Sequence, residues 1–132
     1  MMAEWNCMSQ NGRETKMTLN DLNTELRSIT GFNKKVAYRA FPVGKAPKLP
    51  FICYVCTNTD NFDADDSVYQ VIQEVDVELY TANKDEASER LVEAKLNENG
   101  LVWDKYEDYI DSENCFMITY TVQLFITQTT TA

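Results

Sequence analysis

Cys53-Tyr54-Val55-Cys56 has the two-residue gap of a dithiol redox centre or of half a zinc site. Both chemistries need the thiols side by side at a turn or a helix start. The surrounding stretch, Phe51 to Thr57 (FICYVCT), is instead aromatic and β-branched, the composition of a buried strand. Residues three apart on a strand point to opposite faces and lie about 10 Å apart along it. A disulfide tolerates a Cα separation of at most about 7 Å. On a strand, then, these cysteines fill space. Cys7 and Cys115 offer no second pair, and free thiols fit a reducing cytoplasm.

Two acidic groups invite a similar test. Asp63, Asp65, Ser67 and Glu74 fall on positions one, three, five and twelve of a calcium loop, but Val68 occupies the turn position that demands glycine. A strand rather than a helix is expected to follow, which leaves Asp60, Asp63, Asp65 and Asp66 at most a weak attraction for the ion. Glu107, Asp108, Asp111 and Glu113 could supply two carboxylates for acid–base work. They are expected in a polar turn, where water keeps carboxylates ordinary. The chain has no histidine, which removes the usual neutral-pH base, the commonest metal ligand and every Ser–His or Cys–His pair. Nor does it have a glycine-rich phosphate loop or a serine elbow. The expectation is a protein without catalysis, cofactor or metal.

Composition sets the wider bounds. A chain of 132 residues holds one core and not two ordinary domains. No apolar run reaches the ~20 residues that span a bilayer. Met1 to Met17 lacks the apolar block of a signal peptide, so the protein is expected to stay where it is made. Asp and Glu outnumber Lys and Arg by 21 to 12, a net charge of -9 that repels phosphate backbones. The densest basic cluster, Lys34, Lys35 and Arg39, has no aromatic, glycine-rich RNA-binding context around it.

The elements follow from periodicity. Residues 1–16 show no clean period and read as a flexible extension, with Trp5 the one residue that argues otherwise. A single α+β domain is expected over 17–127, followed by a polar tail over 128–132. Thr18 caps a first helix with Asp21 three residues on, and Leu19, Leu22, Leu26 and Ile29 form its apolar stripe before Gly31. Val36 to Phe41 predicts a short strand. It leads into a stiff loop, Phe41 to Pro50, that holds all three prolines. Phe51 to Thr57 is the second strand and Asn58 to Asp66 a polar loop. In Ser67 to Tyr80, Val71, Val75, Val77 and Leu79 share one parity while Glu74, Asp76, Glu78 and Tyr80 share the other. A second helix is expected from about Asn83 to Gly100, with Ala87, Leu91 and Ala94 inward, widened by Val92 and Lys95. Leu101 to Tyr106 and Cys115 to Ile126 close the chain as strands, the latter alternating without a break from Phe116. The order αβββαββ predicts a mostly antiparallel, possibly mixed, sheet of about five strands with both helices on one face.

From Met17 to Ile126 the chain resembles the tail-completion and tail-terminator proteins of long-tailed bacteriophages and prophages. The resemblance is carried by LNDLNTELRSI, by VAYRAFPVGKAPKLPFICYV and by VIQEVDVELYTANKD. It continues through ERLVEAKLNENG with its following LVW and through CFMITYTVQLF; residues 1–16 have no counterpart. It implies a structural virion protein, assembled in the host cytoplasm. Such a protein forms a ring, typically of six copies, that caps the tail tube and joins it to head-completion and connector proteins. DNA passes through the opening without specific binding, and a negative lumen would suit that passage. A head-closure protein of the same junction, or an unrelated cytoplasmic binding module of the same build, are the competing readings. The residues expected at a subunit contact are Phe41, Pro42, Lys45 and Pro47 of the stiff loop, with Tyr80, Met117 and Phe125 on the outer strand faces.

Overall fold

The computed structural model describes residues 17–63 and 68–129. The extension expected over 1–16, and Asp65, Asp66 and Ser67 of the calcium-like spacing, lie outside the described residues. Helix α1 (Leu19–Arg27) opens as its sequence demands. Asp21 N–H donates to Thr18 Oγ1 at 3.1 Å, and Thr18 N–H donates to Asp21 Oδ2 at 3.0 Å. This reciprocal box satisfies two of the amide donors that a helix start leaves unpaired. Leu22, Leu26 and Ile29 are buried, and Arg27 donates to the carbonyls of Asn33 and Val36, both at 2.7 Å. The helix end is thereby tied to the strand that follows.

That strand is β1 (Val36–Tyr38), followed by β2 (Phe51–Asp63), β3 (Val68–Thr81), α2 (Glu86–Glu98), β4 (Asp104–Ile110) and β5 (Cys115–Thr129). Spatially the five strands run β1-β2-β3-β5-β4, with β1 parallel to β2 and every other pair antiparallel. The α+β class, the order αβββαββ and a mixed sheet are all as the sequence led one to expect. Register explains the core. Val75 faces Val122, Val77 faces Tyr120 and Leu79 faces Ile118, so two alternating strands present one apolar face. Ile52 and Tyr54 extend that face, and Leu22 and Leu26 of α1 close over it with Val92 and Leu96 of α2. Truncating one such leucine to alanine costs about 2–5 kcal/mol, because the cavity adds to the lost transfer energy.

Four boundaries differ from expectation. β1 stops at Tyr38 because Arg39 adopts a left-handed backbone (φ +67) and breaks the extended run. β2 runs on to Asp63, past a bulge between Cys56 and Asn58, since pairing with β3 outweighs the turn propensity of Asn58 to Asp63. β4 begins at Asp104 and not at Leu101. Leu101 N–H still donates to Leu96 O and Gly100 N–H to Asn97 O, both at 3.0 Å, so these residues finish α2. β4 also runs on to Ile110, so Glu107 and Asp108 lie on a strand paired with β5 and not in the expected turn, and a 3₁₀ turn (Asp111–Glu113) with a left-handed Asn114 (φ +51) then reverses the chain.

Helix α2 also sits differently. Asp85, not Asn83, is its cap, with Oδ1 accepting from Ser88 N–H at 3.1 Å. Its buried side carries Ser88, Glu89, Val92 and Leu96, while Leu91 is 43% exposed and Ala87 and Ala94 face solvent. The helix is turned so that Glu89, and not Leu91, faces the sheet. Val92 and Leu96 anchor that face in the core, and two lysines make the burial of Glu89 tolerable.

Candidate interaction surfaces

Glu89 lies at the α2–sheet interface, 2% exposed. Lys84 Nζ stands 2.8 Å from its Oε2 and Lys105 Nζ 2.7 Å from its Oε1. Lys105 also reaches Glu93 at 2.7 Å, Lys84 reaches Glu107 at 2.6 Å, and the buried Tyr120 hydroxyl donates to Glu93 at 2.8 Å. Burial alone would push the Glu89 carboxyl up, but Lys105 and Lys84 more than offset it and hold it below its usual range. Hydrogen bonds to the glutamates hold both ammonium groups above theirs. Burial, then the bond to Glu93, raises Tyr120 as well. These shifts hold Glu89, Lys84, Lys105 and Tyr120 in their ordinary neutral-pH states, which opposes proton exchange. The network ties α2 to β4 and β5. Its only sequence signal is the i,i+4 pair Glu89 and Glu93 on one face of α2.

On the other side of the sheet the stiff loop folds over one end. Phe41 packs edge-on against Phe51 at 5.2 Å, and Phe51 lies against Tyr80 at 5.1 Å. Tyr80 OH donates to Glu78 at 2.9 Å. Loop and sheet form an open pocket of about 310 Å³, lined by Arg39, Phe41, Leu49, Tyr80, Glu113 and Cys115 among others. Burial, with the Glu78 charge beside it, pushes the Cys53 thiol up to about 11, and burial raises Cys115 too. Thiolate chemistry at neutral pH is suppressed at both. Cys56 lies on the opposite, helix-side face from Cys53, as strand parity demands.

The residues expected at a subunit contact therefore divide. Phe41 and Tyr80 are half-buried and pack on either side of Phe51 within the subunit. Pro42 and Lys45 are exposed on the loop, while Pro47 is half-buried. Met117 faces Tyr80 in register and is half-buried; Phe125 lies eight residues along β5, 37% exposed, opposite Ile72. The structure brings Phe41, Tyr80 and Met117 to one end of the outer face and leaves Phe125 at the other.

Between those ends no described helix covers the sheet. The register places Glu74, Asp76 and Glu78 of β3, Asp104 and Asp108 of β4, and Thr119 and Thr121 of β5 on this outer face. Thr121 donates to Asp76 at 2.9 Å, and burial raises the Glu78 carboxyl despite its bond to Tyr80. Beside the far end, where β4 stops pairing at Thr121, a groove of about 810 Å³ runs along β5 past Leu101, Val102 and Phe125. No protein-family model matches the chain, and no curated protein is significantly similar to it.

Proposed function

We propose that this chain is a non-catalytic structural subunit that builds a ring with copies of itself, the tail terminator of a long-tailed phage. The observation that carries the assembly half of this reading is the open outer face of the sheet. A β-sheet face left without helices is stable only against water or a partner. Here it mixes carboxylates with the exposed Phe125 and Tyr106, under a loop that the prolines hold in shape. The phage half rests on the resemblance over Met17 to Ile126. In this reading the ring sits on the tail tube, meets the head-completion and connector proteins, and lets DNA through a lumen that does not bind it.

The test is light scattering of the purified full chain across concentration, with negative-stain electron microscopy. Closed rings of about six copies are expected. A monomer at every concentration would overturn the ring and favour a single-copy binding module. A ring that associates with purified connector but not with tail tube would move the role to head closure.

A further inference from the structure

Charge is divided along this chain in a way that the fold turns into geometry. From Leu26 to Thr59 there is no Asp or Glu, but there are six cations: Arg27, Lys34, Lys35, Arg39, Lys45 and Lys48. The net charge of -9 is thus carried elsewhere. Lys34, Lys35 and Arg39 flank β1, one edge strand of the sheet, and form no ion pair with the described residues. Lys34 and Arg39 are exposed and Lys35 is half-exposed.

The other edge strand is β4. It and its turn carry Asp104, Glu107, Asp108, Asp111 and Glu113 against a single cation, Lys105. Lys105 is engaged with Glu89 and Glu93, and Glu107 with Lys84. Glu113 lines the pocket that Arg39 also lines. That leaves Asp104, Asp108 and Asp111 exposed and uncompensated at this edge. Each edge also shows aromatic surface of the kind that interfaces favour: Tyr38, 43% exposed, at the end of β1, and Tyr106, 59% exposed, on β4.

We infer that copies of this chain associate head to tail, the basic β1 edge of one against the acidic β4 edge of the next. Two different, complementary patches on opposite edges make a heterologous contact, which closes into a ring or runs on as a filament. Edge-to-edge pairing of like with like would set lysine against lysine, or aspartate against aspartate. Opposed charges also steer the encounter and fix its polarity. The inference rests on the ring reading and names the surfaces that would build it.

The test uses full-length Lys34→Glu/Lys35→Glu and Asp104→Lys/Asp108→Lys, each checked for a wild-type melt by circular dichroism. The first has two acidic edges and the second two basic ones. Alone, each is expected to raise the concentration needed for assembly about tenfold or more. Mixed in equal amounts, they are expected to recover wild-type mass, because alternating copies restore both contacts. Where a double reversal does not fold, Lys34→Glu and Asp104→Lys singly take its place with the same mixing arm. Variants that assemble alone as well as the wild type would overturn the edge assignment and leave the ring standing. So would a mixture that fails to recover. A wild type that never assembles would overturn both.

Discussion

Glu89 lies on the buried face of a helix, although a hydrophobic pattern would not select it. Leu91 is the better core residue by transfer energy, yet it is 43% exposed while Glu89 is buried. Two ammonium groups change the balance, since a buried carboxylate with excellent partners is tolerated and one without them is not. Nothing in the sequence marks Lys105 as a partner, because the contact exists only once β4 lies beside α2. The pairing has a pH signature. Glu89 is held below its ordinary value of 4.5, so its contribution is full above that value and is lost as pH falls through the lower folded one. Asp85, lowered chiefly by the Ser88 N–H, adds to the same acid limb. Lys84 and Lys105 are held above 10.5, so their share is full below that and is lost only in strong alkali. With Lys84 42% exposed, water screens much of its share. Glu89→Gln is expected to cost about 1–3 kcal/mol at pH 7. It should also make the loss between pH 5 and 3 shallower, as read from urea unfolding at a series of pH values.

Elements whose ends are written locally were legible; those whose ends depend on a neighbour were not. The box from Thr18 to Asp21 is a four-residue code, and α1 begins where it says. β2 and β4 are different. Asn58 to Asp63 has the composition of a loop and is a strand because β3 supplies its hydrogen bonds. Leu101 to Trp103 has the composition of a strand, yet Leu101 completes the end of α2 while Trp103 packs edge-on against Tyr120 at 5.4 Å. At that helix end Gly100 has φ +72, with nothing within 4 Å of where a Cβ would stand. Gly100→Ala should therefore lose stability through backbone strain and not through a clash, by about 1 kcal/mol. A thermal melt lowered by a few degrees, with unchanged far-ultraviolet circular dichroism, is the expected result.

For the whole molecule, the charge division lay in the sequence all along, but its meaning needed the strand order. Lys34 and Asp108 are both polar surface residues until the topology places β1 and β4 on opposite edges. The surroundings of the expected contact residues needed the fold for the same reason. Phe41 and Tyr80 have the composition of an interface and are used to anchor the loop over the sheet. Salt separates the two forces that could drive assembly. Between about 0.1 M and 1 M the screening length falls from about 10 Å to about 3 Å. If opposed edges drive association, assembly weakens over that range. If apolar contact alone drove it, screening the self-repulsion of a net charge of -9 would strengthen assembly instead. Sedimentation at the two salt levels is expected to show weakening.

The central place of β3 also bears on how the chain is made. Its partner on one side, β2, is synthesised just before it, but its partner on the other, β5, comes only after α2 and β4. A nascent chain that has reached Ile110 holds Val75, Val77 and Leu79 on a strand with one side unsatisfied. α2 at that stage lacks Tyr120, which anchors it through Glu93. Long-range pairing of this kind is slow and leaves strand edges open to wrong partners. Completion of β5 is therefore the step that protects the protein, and a chain stalled before it is a chaperone's problem.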